Sequence, residues 1–312
     1  MSRPGFVLEV DERTPPLLVH AGEGLRLEQF PLGTRVVYPP DSLPAIRDVD
    51  AAISDALLHP HGIEPLPELL HAGMKLTIVF DDLSVPLPPM RSPDVRARII
   101  EAVLELAAAH GVDDVERVAS NALHRRMTPA ELKHVVGDRV FASFFPEHLG
   151  NHDAEDRANL LHLGQTAQGE DVEINRRAAE SDLLVYVNVN LVAMNGGNKS
   201  VGVGLASYKS LRHHHNVSTM RHSRSFNDPP NSAMHHSYDR MGEVLAQQVK
   251  IFTVETTLNN DTFPSQLGFL NKREWEWSVR DQASYLAVKR ANDLAPNKIR
   301  RRIWHTTEAA YG

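Results

Sequence analysis

No cysteine occurs anywhere in the 312-residue chain. Its absence excludes disulfides, thiolate nucleophiles, cysteine-ligated zinc and cysteine-ligated iron–sulfur clusters, and leaves nitrogen and oxygen as the strong metal donors. Long apolar runs are missing too. Nothing approaches the roughly 18 residues a membrane-spanning helix needs, so no membrane partner is expected. The N-terminal stretch MSRPGFVLEVDERTPP is broken by proline and acids before an apolar segment of signal-peptide length can form, which points to a cytoplasmic protein. An excess of positive charge is also lacking: 33 Lys and Arg stand against 40 Asp and Glu, a formal net charge of −7. That balance argues against a nucleic acid as main partner. The one basic cluster, KIRRRIW from Lys298 to Trp304, could bind phosphate, although a solvated helix face is the commoner explanation of such a stretch.

What is present is an ordinary globular composition, 42% hydrophobic and 23% charged, in a chain longer than one typical domain. Residues 1–66 are rich in proline and short apolar runs such as RVVYPP, which suits a β-rich segment of edge strands and loops packed on a main domain. The main domain is expected over 67–270. There KLTIVF reads as a strand and SPDVRARIIEAVLELAAAHG as a helix with a Ser92 cap, Pro93 in the first turn and a Gly111 stop. VERVAS follows as a strand, TPAELKHVVG as a helix capped by Thr128, and RVFASFF as a third strand. EINRRAAESD reads as helical, and LLVYVNVN is apolar enough for a central strand. SYDRMGEVLAQQV is expected to be a helix and KIFTVETTL a strand. Residues 271–312 form a C-terminal helical segment around REWEWSVRDQASYLAVKRAND. The alternation predicts an α/β fold with a mostly parallel sheet flanked by helices.

In such sheets ligands collect beyond the carboxyl ends of the strands. Three polar motifs fall there: DDLSVP after KLTIVF, NALHRRMT after VERVAS, and NGGNKS after LLVYVNVN. One site could gather all three. Asp81 and Asp82 could bind a ribose hydroxyl or a metal, or form a turn and cap. His124 could serve as a general base or be an ordinary surface histidine. Gly196 and Gly197 permit close backbone approach beside Lys199, although a surface turn with a solvated lysine fits the same residues, and the spacing is not that of a phosphate-binding Walker loop. Six of the 17 histidines fall between His213 and His236, a set of nitrogen donors suited to nickel, copper or zinc, or simply a polar surface.

The ordered set resembles the nickel-dependent lactate racemases and related 2-hydroxyacid racemases and epimerases. FDDLSVP is similar to that family's Asp-x-Thr-Arg-Pro segment and NALHRRMTPAEL to its Gly-x-His-Arg-x-Met-Thr segment. NHDA and HLGQTAQGEDVEINRRAAESDLLV resemble the stretches that follow, and NGGNKSVGVGLASYKSLRHHH its Ser-Gly-Gly-x-Lys segment closing on a histidine. The likeness covers about residues 70–260.

The resemblance implies a nickel pincer nucleotide, a pyridinium mononucleotide whose sulfur arms hold nickel. It implies that Lys199 anchors this cofactor through a thioamide and that His215, sixteen residues on, ligates the nickel. It further implies that His124 takes the substrate hydroxyl proton while hydride leaves the carbinol carbon, and that Asp82, Ser84, Gly196 and Gly197 hold the nucleotide. The expected partners are a small hydroxy acid and the proteins that make the cofactor. Three departures stand out. The family's second catalytic histidine is Val189 here, with His152, His213 and His214 as conceivable substitutes. Its carboxylate-binding arginine is Val85, which argues against lactate itself. The chain also ends near where the family's second α/β domain would begin. A non-catalytic cofactor- or nickel-binding homologue is the alternative.

Overall fold

The computed structural model describes residues 7–21, 24–38, 43–83, 90–259 and 264–296. Ser84, Val85 and the basic KIRRRIW cluster lie outside them. The chain divides into two units, one of residues 1–46, 84–92 and 259–312, the other of residues 47–83 and 93–258. The sequence partition at 66 and 270 is linear, whereas these units interleave along the chain.

The first unit contains two small antiparallel ladders. β1 (Val7–Glu9) pairs with β4 (Arg35–Val37), and β2 (Leu17–Ala21) pairs with β3 (Gly24–Glu28). Its apolar centre is Leu25, Phe269 and Tyr285, with Trp277 packed against them.

The second unit opens with α1 (Val49–Leu58) and α2 (Leu66–Leu69). The helix α1 corrects the expectation of strands and loops alone before residue 67. Asp48 caps it by accepting from the Ala51 amide, and Ile53 and Leu57 are buried on one face, a four-residue helical spacing.

The chain then alternates as β5 (Lys75–Asp81), α3 (Val95–Ala109), β6 (Asp114–Ser120), α4 (Pro129–Phe144) and β7 (Leu149–Asn151). A hairpin of β8 (Leu160–Gln165) and β9 (Asp171–Asn175) follows, then the short α5 (Arg176–Ala179) and β10 (Leu183–Asn190). Short helices α6 (Asn198–Gly204), α7 (Tyr208–Leu211) and α8 (Val217–His222) lead to α9 (Ala233–Ala246) and β11 (Ile251–Thr257). The last helix, α10 (Val279–Leu294), belongs to the first unit.

Five of these strands form one parallel sheet in the order β11-β10-β5-β6-β7. The period of two sorts their side chains. Leu76, Ile78 and Phe80 of β5 join Leu183, Val185 and Val187 of β10 in one core cluster with residues of α1, α3 and α4. Val79, Leu184 and Tyr186 point to the other face and pack with Val201 of α6, Leu205 just beyond it, and Met241 and Leu245 of α9. Burial on both faces explains why these strands read as nearly continuous apolar runs.

Three local expectations are corrected. RVFASFF is helical, lying within α4 except for its last residue. Gly137, at φ +83°, kinks α4 without ending it, and beyond the kink Val140, Phe141 and Phe144 recur at helical spacing against the core. The strand at that edge is β7. EINRRAAESD is mostly not helix: Val172 and Ile174 alternate inward, so β9 runs to Asn175 and only four helical residues follow. The cap of α3 is Asp94 rather than Ser92, through its side chain accepting from the Arg96 amide. Thr128 does cap α4, in a reciprocal capping box with Glu131. No described helix is long and apolar enough to cross a membrane.

Candidate active site

The carboxyl ends of β5, β6 and β10 are neighbours in the sheet, so the three polar motifs converge. Asp82 follows β5, and its Oδ2 is 2.8 Å from Nδ1 of His124, which lies four residues beyond β6. Asp82 is buried. If its carboxylate accepts from Nδ1–H, Nε2 of His124 carries the lone pair, the arrangement of a proton acceptor oriented by an acid.

Asp81 lies beneath this pair. Its carboxylate accepts from the Val189 amide at 2.6 Å and from the Tyr186 hydroxyl at 3.1 Å, and Tyr186 in turn contacts the Ser120 hydroxyl. Burial raises its pKa to about 6, against the lowering effect of these hydrogen bonds and of Arg96. A carboxyl group in that range exchanges its proton near neutrality.

Arg96 fixes both acids from below. It is buried, donates to the Asp94 carboxylate at 2.8 and 3.0 Å, and donates through Nη1 to the backbone carbonyls of Asp81 and Asp82 at 2.8 and 2.9 Å. Sequence reading passed over it, yet Arg96 shares the buried stripe of α3 with Ile99, Ile100 and Val103. An arginine in an inward helical stripe is a legible sign of a buried structural cation.

Lys199 sits in the first turn of α6 and forms no ion pair within 4 Å among the described residues. Desolvation lowers its pKa, opposed by the charges of Asp81 and Asp82. Part of its population is therefore the neutral, nucleophilic amine at a lower pH than for a solvated lysine.

The three adjacent histidines separate cleanly. His213 Nε2 is 3.2 Å from Oδ2 of Asp171, a carboxylate also held by Lys209 at 2.8 Å and His162 at 3.2 Å. His214 is buried, and burial pushes its pKa down to about 3. His215 is the exposed member. The surrounding protein and then the charges of Lys199 and His124 lower its pKa, so it shares their space. Its Nδ1 is 2.8 Å from Nδ1 of His214, which leaves Nε2 to meet a ligand. His152 is wholly buried with Nε2 3.0 Å from the Ala206 carbonyl, a structural position.

The glycine loop is engaged with a residue not singled out from sequence. The Gly197 amide donates to Oε1 of Glu255 on β11 at 2.8 Å, and a Cβ on Gly196 would stand 2.7 Å from that same oxygen. Both glycines have positive φ, which other residues rarely adopt, and at Gly196 the crowding by Glu255 adds a second ground. Glu255 lies on β11, 58 residues from the turn it closes, so no local sequence signal points to the contact.

The sequence profile of the lactate racemase N-terminal domain matches residues 25–228. The chain belongs to this family. It is 26% identical over 218 residues to the lactate racemase of Lactiplantibacillus plantarum, covering 67% of this chain and 48% of that protein. It is also 26% identical over 172 residues to the lactate racemase of Thermoanaerobacterium thermosaccharolyticum, covering 52% of this chain and 37% of the relative. The chain thus spans half or less of the length of these curated relatives. Among solved structures, the lactate racemase apoprotein of Thermoanaerobacterium thermosaccharolyticum superposes with a TM-score of 0.58 at 19% identity, over 79% of this chain and 57% of its own. A Thermotoga maritima protein superposes with a TM-score of 0.53 at 15% identity, over 78% of this chain and 57% of its own. At those identities the shared property is the α/β fold.

Proposed function

We propose that the chain is the catalytic part of a lactate-racemase-like isomerase that inverts the carbinol centre of a 2-hydroxy acid or related secondary alcohol, with a substrate other than lactate. The observation that carries this reading is the convergence of the Asp82–His124 pair, Lys199 and His215 at the carboxyl edge of one parallel sheet.

The residues present fit a nickel pincer nucleotide. Among the described residues no three His, Asp or Glu side chains converge to hold a metal ion. An ion reaching His215 therefore needs its remaining ligands from elsewhere, and an organic group tethered to Lys199 would bring them. Lys199 would anchor the group through its amine and His215 would supply the protein ligand. When bound, the group supplies a hydride acceptor and donor at the carbinol carbon. Asp82 orients His124, and His124 Nε2 takes the hydroxyl proton and returns it. Gly196 and Gly197 would hold the nucleotide backbone closely, a role that requires release of the Gly197 amide from Glu255. The proteins that make the cofactor are then necessary partners.

Val189 stands where the family's second histidine would be, and it is buried with its amide bound to Asp81. That observation favours the second reading, a cofactor- or nickel-binding homologue without inversion. Loading tests the first reading at its root. Produced together with the cofactor-making proteins, the parent chain is expected to gain mass and nickel, and both Lys199→Ala and His215→Ala are expected to lose them. Normal loading of both variants would overturn the assignment. Conversion of an added single-enantiomer hydroxy acid to its mirror image by the loaded parent would exclude the non-catalytic reading.

A further inference from the structure

Between Asp81 and the glycine turn runs a row of three side chains: Asn188 and Asn190 at the end of β10, and Glu255 on β11. Asn190 donates through Nδ2 to Oε2 of Glu255 at 2.9 Å, while the Gly197 amide donates to Oε1 at 2.8 Å. Asn188 donates through Nδ2 to Asn190 Oδ1 at 2.5 Å. At the inner end, Asn188 Oδ1 lies 2.7 Å from Oδ2 of Asp81.

An amide oxygen and a carboxylate oxygen are both acceptors, and Asn188 is only 3% exposed, so their contact requires a proton between them. Two arrangements supply one. Either the Asn188 amide is turned and its Nδ2 donates to Asp81, or Asp81 carries a proton on Oδ2 and donates to Asn188 Oδ1. The outer end of the row decides between them. A carboxylate accepts at both oxygens and donates at neither, so Glu255 calls for Nδ2 of Asn190. That leaves Asn190 Oδ1 facing inward, where it calls for Nδ2 of Asn188. Turning Asn188 alone sets two oxygens 2.5 Å apart and gains only a 3.3 Å contact from the Gly196 amide. Turning both asparagines moves the conflict to Glu255. The row is satisfied in one direction, with the proton on Asp81.

We infer that Glu255, acting through Asn190 and Asn188, is a positioning residue that keeps a proton on Oδ2 of Asp81 and so maintains a neutral acid at the carboxyl end of β5. The inference stands whichever group Lys199 anchors. A protonated Oδ2 still accepts from the Val189 amide at 2.6 Å, and Oδ1 accepts from the Tyr186 hydroxyl at 3.1 Å. Burial acts in the same direction as the row, since it favours the uncharged acid. The other ionisable groups facing Asp81 are Asp82 beside it, Arg96 of α3, Tyr186 of β10 and Lys199 of α6. Of these, Arg96 and Lys199 favour the ionised form and Asp82 opposes it. Because Glu255 also holds the Gly197 amide, closure of the glycine turn and the proton on Asp81 depend on one carboxylate.

The test follows the side-chain carboxyl carbon of Asp81 against pH in the full chain without cofactor, labelled with 13C in aspartate. Its signal is identified by its loss in Asp81→Asn. In the parent it is expected at a protonated shift at about pH 5, with a midpoint of about 6 or higher. Glu255→Gln keeps the shape but reverses the row: with its oxygen on the Gly197 amide, its NH2 faces Asn190, both asparagines turn, and Asn188 donates to Asp81. The Asp81 midpoint is then expected to fall toward the ordinary 3.8. Asn190→Ala cuts the row, frees Asn188 to turn, and is expected to lower the midpoint by a route that leaves Glu255 in place. Asp82, Arg96, Tyr186 and Lys199 are unchanged in both variants, so the difference reads the row. An Asp81 already ionised at about pH 5 in the parent overturns the inference even if no variant folds. So does a midpoint that fails to fall in a folded variant.

Discussion

Two carboxylates in the same unit lie on opposite sides of the ordinary acid range. Asp171, at the start of β9, accepts from Lys209, Gln165, His213 and His162, and these donors hold its pKa far below the normal value. Asp81, at the end of β5, has two neutral donors and is desolvated, and its pKa rises to about 6. Asp171 is spent on tying the β8–β9 hairpin to α7 and the histidine segment. Asp81 is held in a proton-exchanging state among Asp82, His124 and Lys199. The contrast shows that the richest cluster of His and Lys around an acid holds that acid ionised, while the sparser surroundings of Asp81 leave it with a raised pKa, the kind of perturbation that active sites use.

The comparison is broken most severely through Arg96. Replacing it with methionine removes the donor to Asp94 and to both carbonyls, and leaves Asp94 buried without its cation. A loss of roughly 3–5 kcal/mol is expected in urea denaturation. A loss below about 1 kcal/mol would show that Arg96 does not support the site.

Asp171→Asn strikes the other side. Its folded-state pKa is lowered, so its contribution is present above the unfolded value of 3.8 and is lost as pH falls below it. The variant is expected to lose about 1–2 kcal/mol at pH 7, and its deficit should shrink in acid. A deficit that grows in acid would contradict the account.

Asp81→Asn should show the reverse sign. The raised pKa of Asp81 contributes stability that is present below 3.8 and lost as pH rises through about 6. The parent should therefore lose on the order of 1–2 kcal/mol across that window relative to the variant, once the partial exposure of the group is allowed for. Coincident pH–stability curves would remove the special status of Asp81. The smallest effect concerns neither carboxylate: Thr128→Ala should cost about 1 kcal/mol through the capping box, without altering either pH dependence.

Much of this site was legible in the sequence because three strands with apolar runs ended in short polar motifs, and parallel sheets bring such ends together. His124, Asp82 and Lys199 lie in those motifs, whereas His215 was singled out by the family resemblance alone. Periodicity failed where it was ambiguous, as in RVFASFF, whose apolar residues suit a strand or a kinked helix equally. It also missed contacts between distant segments. Nothing local in Glu255 announces that it closes the Gly197 turn, and nothing in HHH says that His213, His214 and His215 face an aspartate, the interior and the site. That separation depends on the loop after α7 packing on α9, which is a tertiary matter.

The central claim, that Lys199 and His215 hold a nickel pincer nucleotide, is tested most directly by intact mass and metal analysis of the chain produced alongside the cofactor-making proteins. The account predicts a mass increase that maps to Lys199, with nearly one nickel per chain. An unmodified chain without nickel, under conditions that load a lactate racemase relative, would contradict it.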